Sequence, residues 1–226
     1  MASTFFGLHI GSSALSSFQV ATNTTANNIA NVKTTGYTRQ EATLQAKDAI
    51  NVTARYGSVG TGVTVTSIKQ QRDLYYDNKY WENNSCYGRY EQKLYYMEQI
   101  QNYFKDNGSS VKGFSSVFSQ MFSDLDTLRS KPSDKTVRNQ FISSAQSLCT
   151  YFNQMSDNLS KLQDDCNEEI RNNVDKINSI SEKISLLNKE INQIETGTGV
   201  EASSLRDERA NLIDSLSKIV NVSYNE

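Results

Sequence analysis

Apolar residues recur at threes and fours along most of this chain and alternate in only one stretch. Leu8, Leu15 and Ile29 lie on one seven-residue line, and Phe18 and Val32 lie on its companion. Gly11, Thr22 and Thr25 fill the other slots, so an amphipathic helix is predicted over 1–34. Its outer face is Ser, Thr, Asn and Gln, and the first charged residue is Lys33. A neutral face suits a helix that lies close against copies of itself without like-charge repulsion. The stretch therefore reads as a polymerisation element. It leaves through Gly36 into an extended segment, 35–70, where Val63, Val65 and Ser67 alternate with Thr64, Thr66 and Ile68 after a Gly57–Gly62 turn. That pattern predicts a small hairpin held against helices, because two strands alone are marginal.

From 71 to 220 the helical period returns as an elongated antiparallel bundle. Tyr80, Tyr87 and Leu94, with Tyr76, Tyr90, Met97 and Phe104 beside them, predict a core-facing line over 72–106. A break at Asn107-Gly108-Ser109-Ser110 precedes a short helix with Phe114, Phe118, Met121, Leu125 and Leu128 on its inner face. It stops at Pro132, and Ser133 is placed to cap the next helix. That helix carries an isoleucine line, Ile170, Ile177, Ile184 and Ile191, paired with Ile180, Leu187 and Ile194. This is coiled-coil grammar, with an eleven-residue insert near Leu162 to Asn173 that relaxes the supercoil. From Phe141 to Ile194 it would run about 80 Å, the spine of a rod. Asn173 fits either a register-setting core slot or a solvent-facing turn. After Gly197 and Gly199 a last antiparallel helix presents Leu205, Leu212, Leu216 and Ile219. Residues 221–226 read as the start of an outer domain. The fold class is mainly α.

Composition removes whole classes of function. Net charge is −2 with both signs interspersed, so no basic field points to nucleic acid or an anionic membrane. Eight tyrosines between 75 and 103 invite base stacking, but 72–106 holds five Lys/Arg against six Asp/Glu. No apolar run is long enough for membrane insertion, and the N-terminus lacks the basic and apolar regions of a cleaved signal peptide. Cys86, Cys149 and Cys166 read as small buried hydrophobes; the last two are 17 residues apart on one helix, about 25 Å, too far for a disulfide.

No constellation for chemistry emerges. His9 is the one histidine, which removes His-based triads and HExxH zinc sites. The Gly57–Gly62 loop lacks the Lys-Ser/Thr of a phosphate loop. Asp124/Asp126 and Asp164/Asp165 lie on helices, outside any calcium-loop pattern. Asn-x-Ser/Thr triplets such as Asn23-Thr24-Thr25 and Asn51-Val52-Thr53 are expected by chance in so Asn-rich a chain. Arg206, Asp207, Glu208 and Arg209 read as ion pairs along one helix surface rather than a paired-carboxylate site. No enzyme activity, cofactor or metal is expected.

Two motifs carry a resemblance. Asn28-Ile29-Ala30-Asn31, followed by Gly36-Tyr37-Thr38-Arg39-Gln40, resembles the N-terminal signature of bacterial flagellar axial proteins. Leu205-Arg206-Asp207-Glu208-Arg209-Ala210-Asn211-Leu212 is similar to the distinctive helix of the hook-associated protein 1 family, the first hook–filament junction proteins. Phe114 to Phe152, with Lys131-Pro132-Ser133-Asp134 and Arg138, and Gly60-Thr61-Gly62-Val63 fit the same family.

The resemblance implies a structural subunit at the hook–filament junction, secreted through the flagellar type III export apparatus without a cleaved signal peptide. Its partners would be copies of itself, the hook and the second junction protein. Such proteins continue through outer domains and return with a C-terminal helix, so the chain corresponds to an N-terminal portion. The near alternative is another axial subunit of hook, rod or flagellin type. The distant one is a coiled-coil adhesin or binding module outside the flagellum.

Overall fold

The computed structural model describes residues 5–51, 57–106 and 113–224. The expected break at Asn107–Ser110 and the triplet residues Val52 and Thr53 lie outside them. In chain order the elements are α1 (Phe6–Ala30), β1 (Gln40–Ala46), β2 (Ile50–Asn51), β3 (Ser58–Val59), β4 (Val63–Gln70), α2 (Leu74–Tyr103), α3 (Phe114–Ser130), α4 (Lys135–Thr198) and α5 (Ser203–Ser217). The architecture is mainly α, as the periodicity predicts, and among the described residues it holds two small antiparallel two-stranded sheets where one hairpin was expected. Contacts group the chain into one unit of residues 1–85 with 177–226, and a second of residues 86–176.

In the first unit, β1 pairs antiparallel with β4 from Gln40↔Gln70 to Ala46↔Val63. Thr43 faces Ser67 and Leu44 faces Val65, so Thr66 is an extra residue that interrupts the predicted alternation. Its hydroxyl donates to the Thr43 carbonyl at 3.2 Å. The expected Gly57–Gly62 turn contains the short strand β3, paired with β2. The hairpin is held against α1: the Ser17 hydroxyl donates to the Val63 carbonyl at 3.1 Å. Gly62 has φ +109° and a Cβ there would lie 2.2 Å from Ser13 Oγ, so only glycine permits this approach.

α5 runs antiparallel to the end of α4, with Arg206 bonded to Glu195 and Arg209 to Asn188. Against them lies the start of α2, whose Trp81 is 2% exposed and the largest fully buried side chain among the described residues. The Trp81 indole donates to Asp214 at 2.6 Å, and Asn84 donates to the Asp214 carbonyl and to Ser217 Oγ. Ile180, Leu187, Ile191, Ala210 and Ile213 complete this buried group. No strand forms at 221–224; Tyr224 instead packs edge-on to Trp81.

In the second unit, α3 lies antiparallel to the start of α4, with Phe114 against Tyr151 and Phe152. Met155 and Leu162 are buried there. Asp106 caps α3 by accepting from the Ser116 backbone and hydroxyl. The cap of α4 is Asp134, not Ser133: its carboxylate accepts from the Thr136 N–H at 2.8 Å. A carboxylate at that position also meets the positive end of the helix dipole.

Three expectations about cores are corrected. Tyr76, Tyr80, Tyr87, Tyr90, Leu94, Met97 and Phe104 are exposed, whereas the inward face of α2 carries Trp81, Asn84, Gln92 and Tyr96. On α4, Ile170 is 55% and Ile194 is 41% exposed. In each case the neighbouring acid is half-buried in its place. Glu169 accepts hydrogen bonds from Gln92 and from Tyr96, and Glu195 accepts from Arg206. A paired carboxylate takes the inward slot and turns the adjacent isoleucine outward by about 100°. Ile177 and Ile184 are half-buried. Finally, Cys86 and Cys149 are exposed thiols and only Cys166 is half-buried.

Candidate functional site

The candidate site is an outward helix face together with the structure that positions it. α1 has two faces. Ser13, Ser17, Val20, Ala21, Thr24 and Asn28 turn inward toward the β segment, and of these Ser17 and Thr24 are buried. Leu8, Leu15, Phe18 and Ile29 turn outward; Leu15 is 72% and Phe18 57% exposed. Val32 is also exposed but lies beyond Ala30, in the turn after the helix. A single-chain helix that buries small polar residues and leaves its large apolar ones in solvent presents a surface for another chain.

The first signature motif fixes the end of α1. Asn28 Oδ1 accepts from the Gln40 N–H at 3.0 Å and from the Tyr37 hydroxyl at 2.8 Å. Its Nδ2 donates to the Gln40 carbonyl at 2.8 Å, so one amide occupies the whole backbone of the first strand residue. Asn31 Nδ2 donates back to Asn27. The Tyr37 phenol is raised above its ordinary pKa by burial, then by the Asp207 carboxylate, against a lowering hydrogen bond from Asn27. Gly36 turns the chain with φ +77°, and a Cβ there would lie 1.8 Å from Asn211 Oδ1. Arg39 is exposed on the rim of the groove between α1 and β1.

The second motif fastens the same region from α5. Asp207 accepts from the Thr38 N–H at 3.3 Å and from Gln70 Nε2 at 2.8 Å; the same Gln70 amide also donates to the Ser203 carbonyl. Arg206 makes a bidentate pair with Glu195, at 2.7 and 2.9 Å. Arg209 donates to Asn188 and lies over the Tyr224 ring at 5.1 Å. Leu205 and Leu212 are half-buried beside them. The expected ion pairing along the α5 surface is therefore replaced by partners on other elements, and Asp207 and Arg209 are buried. Gln70, Glu195, Asn188 and Asn211 are the functional residues that pattern reading missed. Their partners lie on other elements, and nothing in the local spacing marks them.

Glu195 gives this region a pH dependence. Its carboxyl is held down to about 2, chiefly by the Arg206 hydrogen bond, against burial and with help from the Ala202 N–H. A lowered folded-state pKa contributes stability that is complete above the ordinary glutamate range and is lost as pH falls through about 2. The difference in urea midpoint between the native chain and Glu195→Gln is expected to shrink steadily from pH 5 to pH 2. A constant difference would show that the pair contributes nothing through ionisation.

Among the described residues no group of three or more His, Cys, Asp or Glu is placed to hold a metal ion. No helix there is long and apolar enough to cross a membrane.

Residues 97–226 match the family described as flagellar hook-associated protein FlgK helical domain. The chain belongs to that family. Residues 8–38, which contain the α1 surface and the first signature as far as Thr38, match the flagella basal body rod protein family. The chain is 34% identical over 233 aligned residues to flagellar hook-associated protein 1 of Bacillus subtilis, covering all of this chain and 45% of the relative. It is 33% identical to the protein of that name from Salmonella typhimurium, over 93% of this chain and 37% of the relative. The Escherichia coli K12 protein of that name is 32% identical, with 93% and 38% covered. The chain thus spans less than half the length of these hook-associated relatives.

Proposed function

We propose that the chain is a structural subunit of the bacterial flagellum at the hook–filament junction, without catalysis. Copies of itself and the adjacent axial proteins, hook and second junction protein, are its partners. Export runs through the flagellar type III apparatus without a cleaved signal peptide. The observation that carries this reading is the outward face of α1, apolar and uncharged, on a chain of the hook-associated family. Ile29 and Val32 extend that face into a groove of about 590 Å³ between α1 and β1. A neighbouring helix would bury Leu8, Leu15, Phe18 and Ile29 there at about 1.5–3 kcal/mol for each fully covered side chain. The intramolecular fasteners around Asn28 and Asp207 set the direction in which that face points.

Removing residues 1–32 is expected to leave α2 to α5 helical by circular dichroism and to abolish binding to purified hook ends. Unchanged binding would overturn the reading.

A further inference from the structure

One rung of the β1–β4 ladder faces two ways. Gln40 and Gln70 pair at the end of the two strands away from their turn. Gln40 turns its N–H and C=O away from β4, and the Asn28 side chain of α1 takes both. Gln70 turns its N–H away from β1, to the Glu201 carboxylate at 3.3 Å. The non-hydrogen-bonded rung of an antiparallel pair allows this. The Gln70 side chain extends the link. Its Nε2 donates to the Ser203 carbonyl at 2.9 Å and to Asp207 at 2.8 Å. α1 packs on β1 and β4, so it reaches α5 across this pair of glutamines.

We propose that Gln70 is a positioning residue for the outward face of α1, acting through this rung. The proposal rests on the α1 reading above and names a residue that lies outside both family motifs.

The donor pattern makes the residue type specific. One amide nitrogen gives its two hydrogens to a backbone carbonyl and a carboxylate, neither of which can donate in return. Turning the amide over would aim Oε1 at both acceptors, so the side chain has one workable orientation. Asp207 is equally constrained. Its other oxygen accepts from the Thr38 N–H, so each oxygen faces a donor. Asp207 is also buried, where bulk water does not replace a lost partner.

Two isosteric changes exploit that constraint. Gln70→Glu aims an oxygen at the Asp207 carboxylate, and Asp207→Asn aims an NH₂ group at the Gln70 amide or at the Thr38 N–H. Each keeps the shape and breaks a bond. Together they restore the link between the two side chains with its direction reversed. The new amide donates to the new carboxylate, and its oxygen still accepts from Thr38.

The test is binding to purified hook ends by the native whole chain, each single variant and the pair. The native chain is expected to bind; failure there overturns the α1 reading, and this proposal with it. Each single variant is expected to lose about tenfold in affinity or more, with an unchanged far-ultraviolet spectrum and Trp81 fluorescence. The pair is expected to recover to within about threefold of the native chain. Single variants that bind as tightly as the native chain overturn the proposal and leave the α1 reading standing. So does a pair as weak as the single variants, because the two side chains would then act separately. Where a single variant does not fold, a pair that folds and binds supports the rung, and a pair that stays unfolded overturns it.

Discussion

Trp81→Ala is expected to lose about 3–5 kcal/mol of stability, the largest loss from any single side chain in the first unit. Trp81 is 2% exposed and its indole donates to Asp214 at 2.6 Å. Removing it opens a cavity among Ala210, Ile213 and Tyr224 and leaves the Asp214 carboxylate without that donor. A domain stable by 5–15 kcal/mol keeps little after such a loss. Trp81→Phe separates the two parts: it keeps most of the volume and removes the hydrogen bond, so it is expected to cost about 1–2 kcal/mol. Trp81 is the single tryptophan of the chain, so urea unfolding must be followed by circular dichroism. A loss below about 1 kcal/mol in the alanine variant would mean that this group is not the centre of the unit.

Leu15→Glu combined with Phe18→Glu is expected to do the reverse: almost nothing to the isolated chain and nearly everything to assembly. Both side chains are exposed, so the unfolding free energy should stay within the change expected of surface substitutions, about 0.5 kcal/mol. In the assembly each copy would place two carboxylates against a neighbour on a helix that is otherwise uncharged. At an effective dielectric near 20, two charges about 4 Å apart repel by about 4 kcal/mol. Even a quarter of that, summed over two pairs, lowers binding to hook ends more than tenfold. The charged variant is cleaner than removing residues 1–32, because Ser17 and Asn28 also hold the β segment of their own chain. A charged variant that bound normally would remove α1 from the interface while leaving the family membership intact.

The stripes of α1, α2 and α4 were all visible as hydrophobic periodicity, yet they came to three different ends. On α1 the large residues face outward. On α2 they also face outward, against expectation, while Trp81, Asn84, Gln92 and Tyr96 turn inward. On α4 the line is buried at Ile180, Leu187 and Ile191 and slips outward at Ile170 and Ile194. Period measures how much apolar surface a helix must cover; it carries no information about which chain supplies the cover. Polar inward faces are harder still to read, because a glutamate on a helix looks solvated until its donors are seen. Glu169 and Glu195 are such cases, and their donors sit on α2 and α5.

By itself, then, the sequence determined the helices, the β segment between α1 and α2, the absence of charge and the apolar line along α1, and the motifs of the hook-associated family; that this line faces outward was decided by the structure. These depend on spacing within a few turns and on residue type, both of which are local. Only the tertiary structure decided what the motifs do. It brought Asp207 to Thr38 and Gln70, Asn211 to Gly36 and Trp81 to Asp214. Each of these contacts joins residues more than a hundred positions apart. A hydrogen bond between such partners depends on how the helices cross, and no local pattern of residues records that crossing.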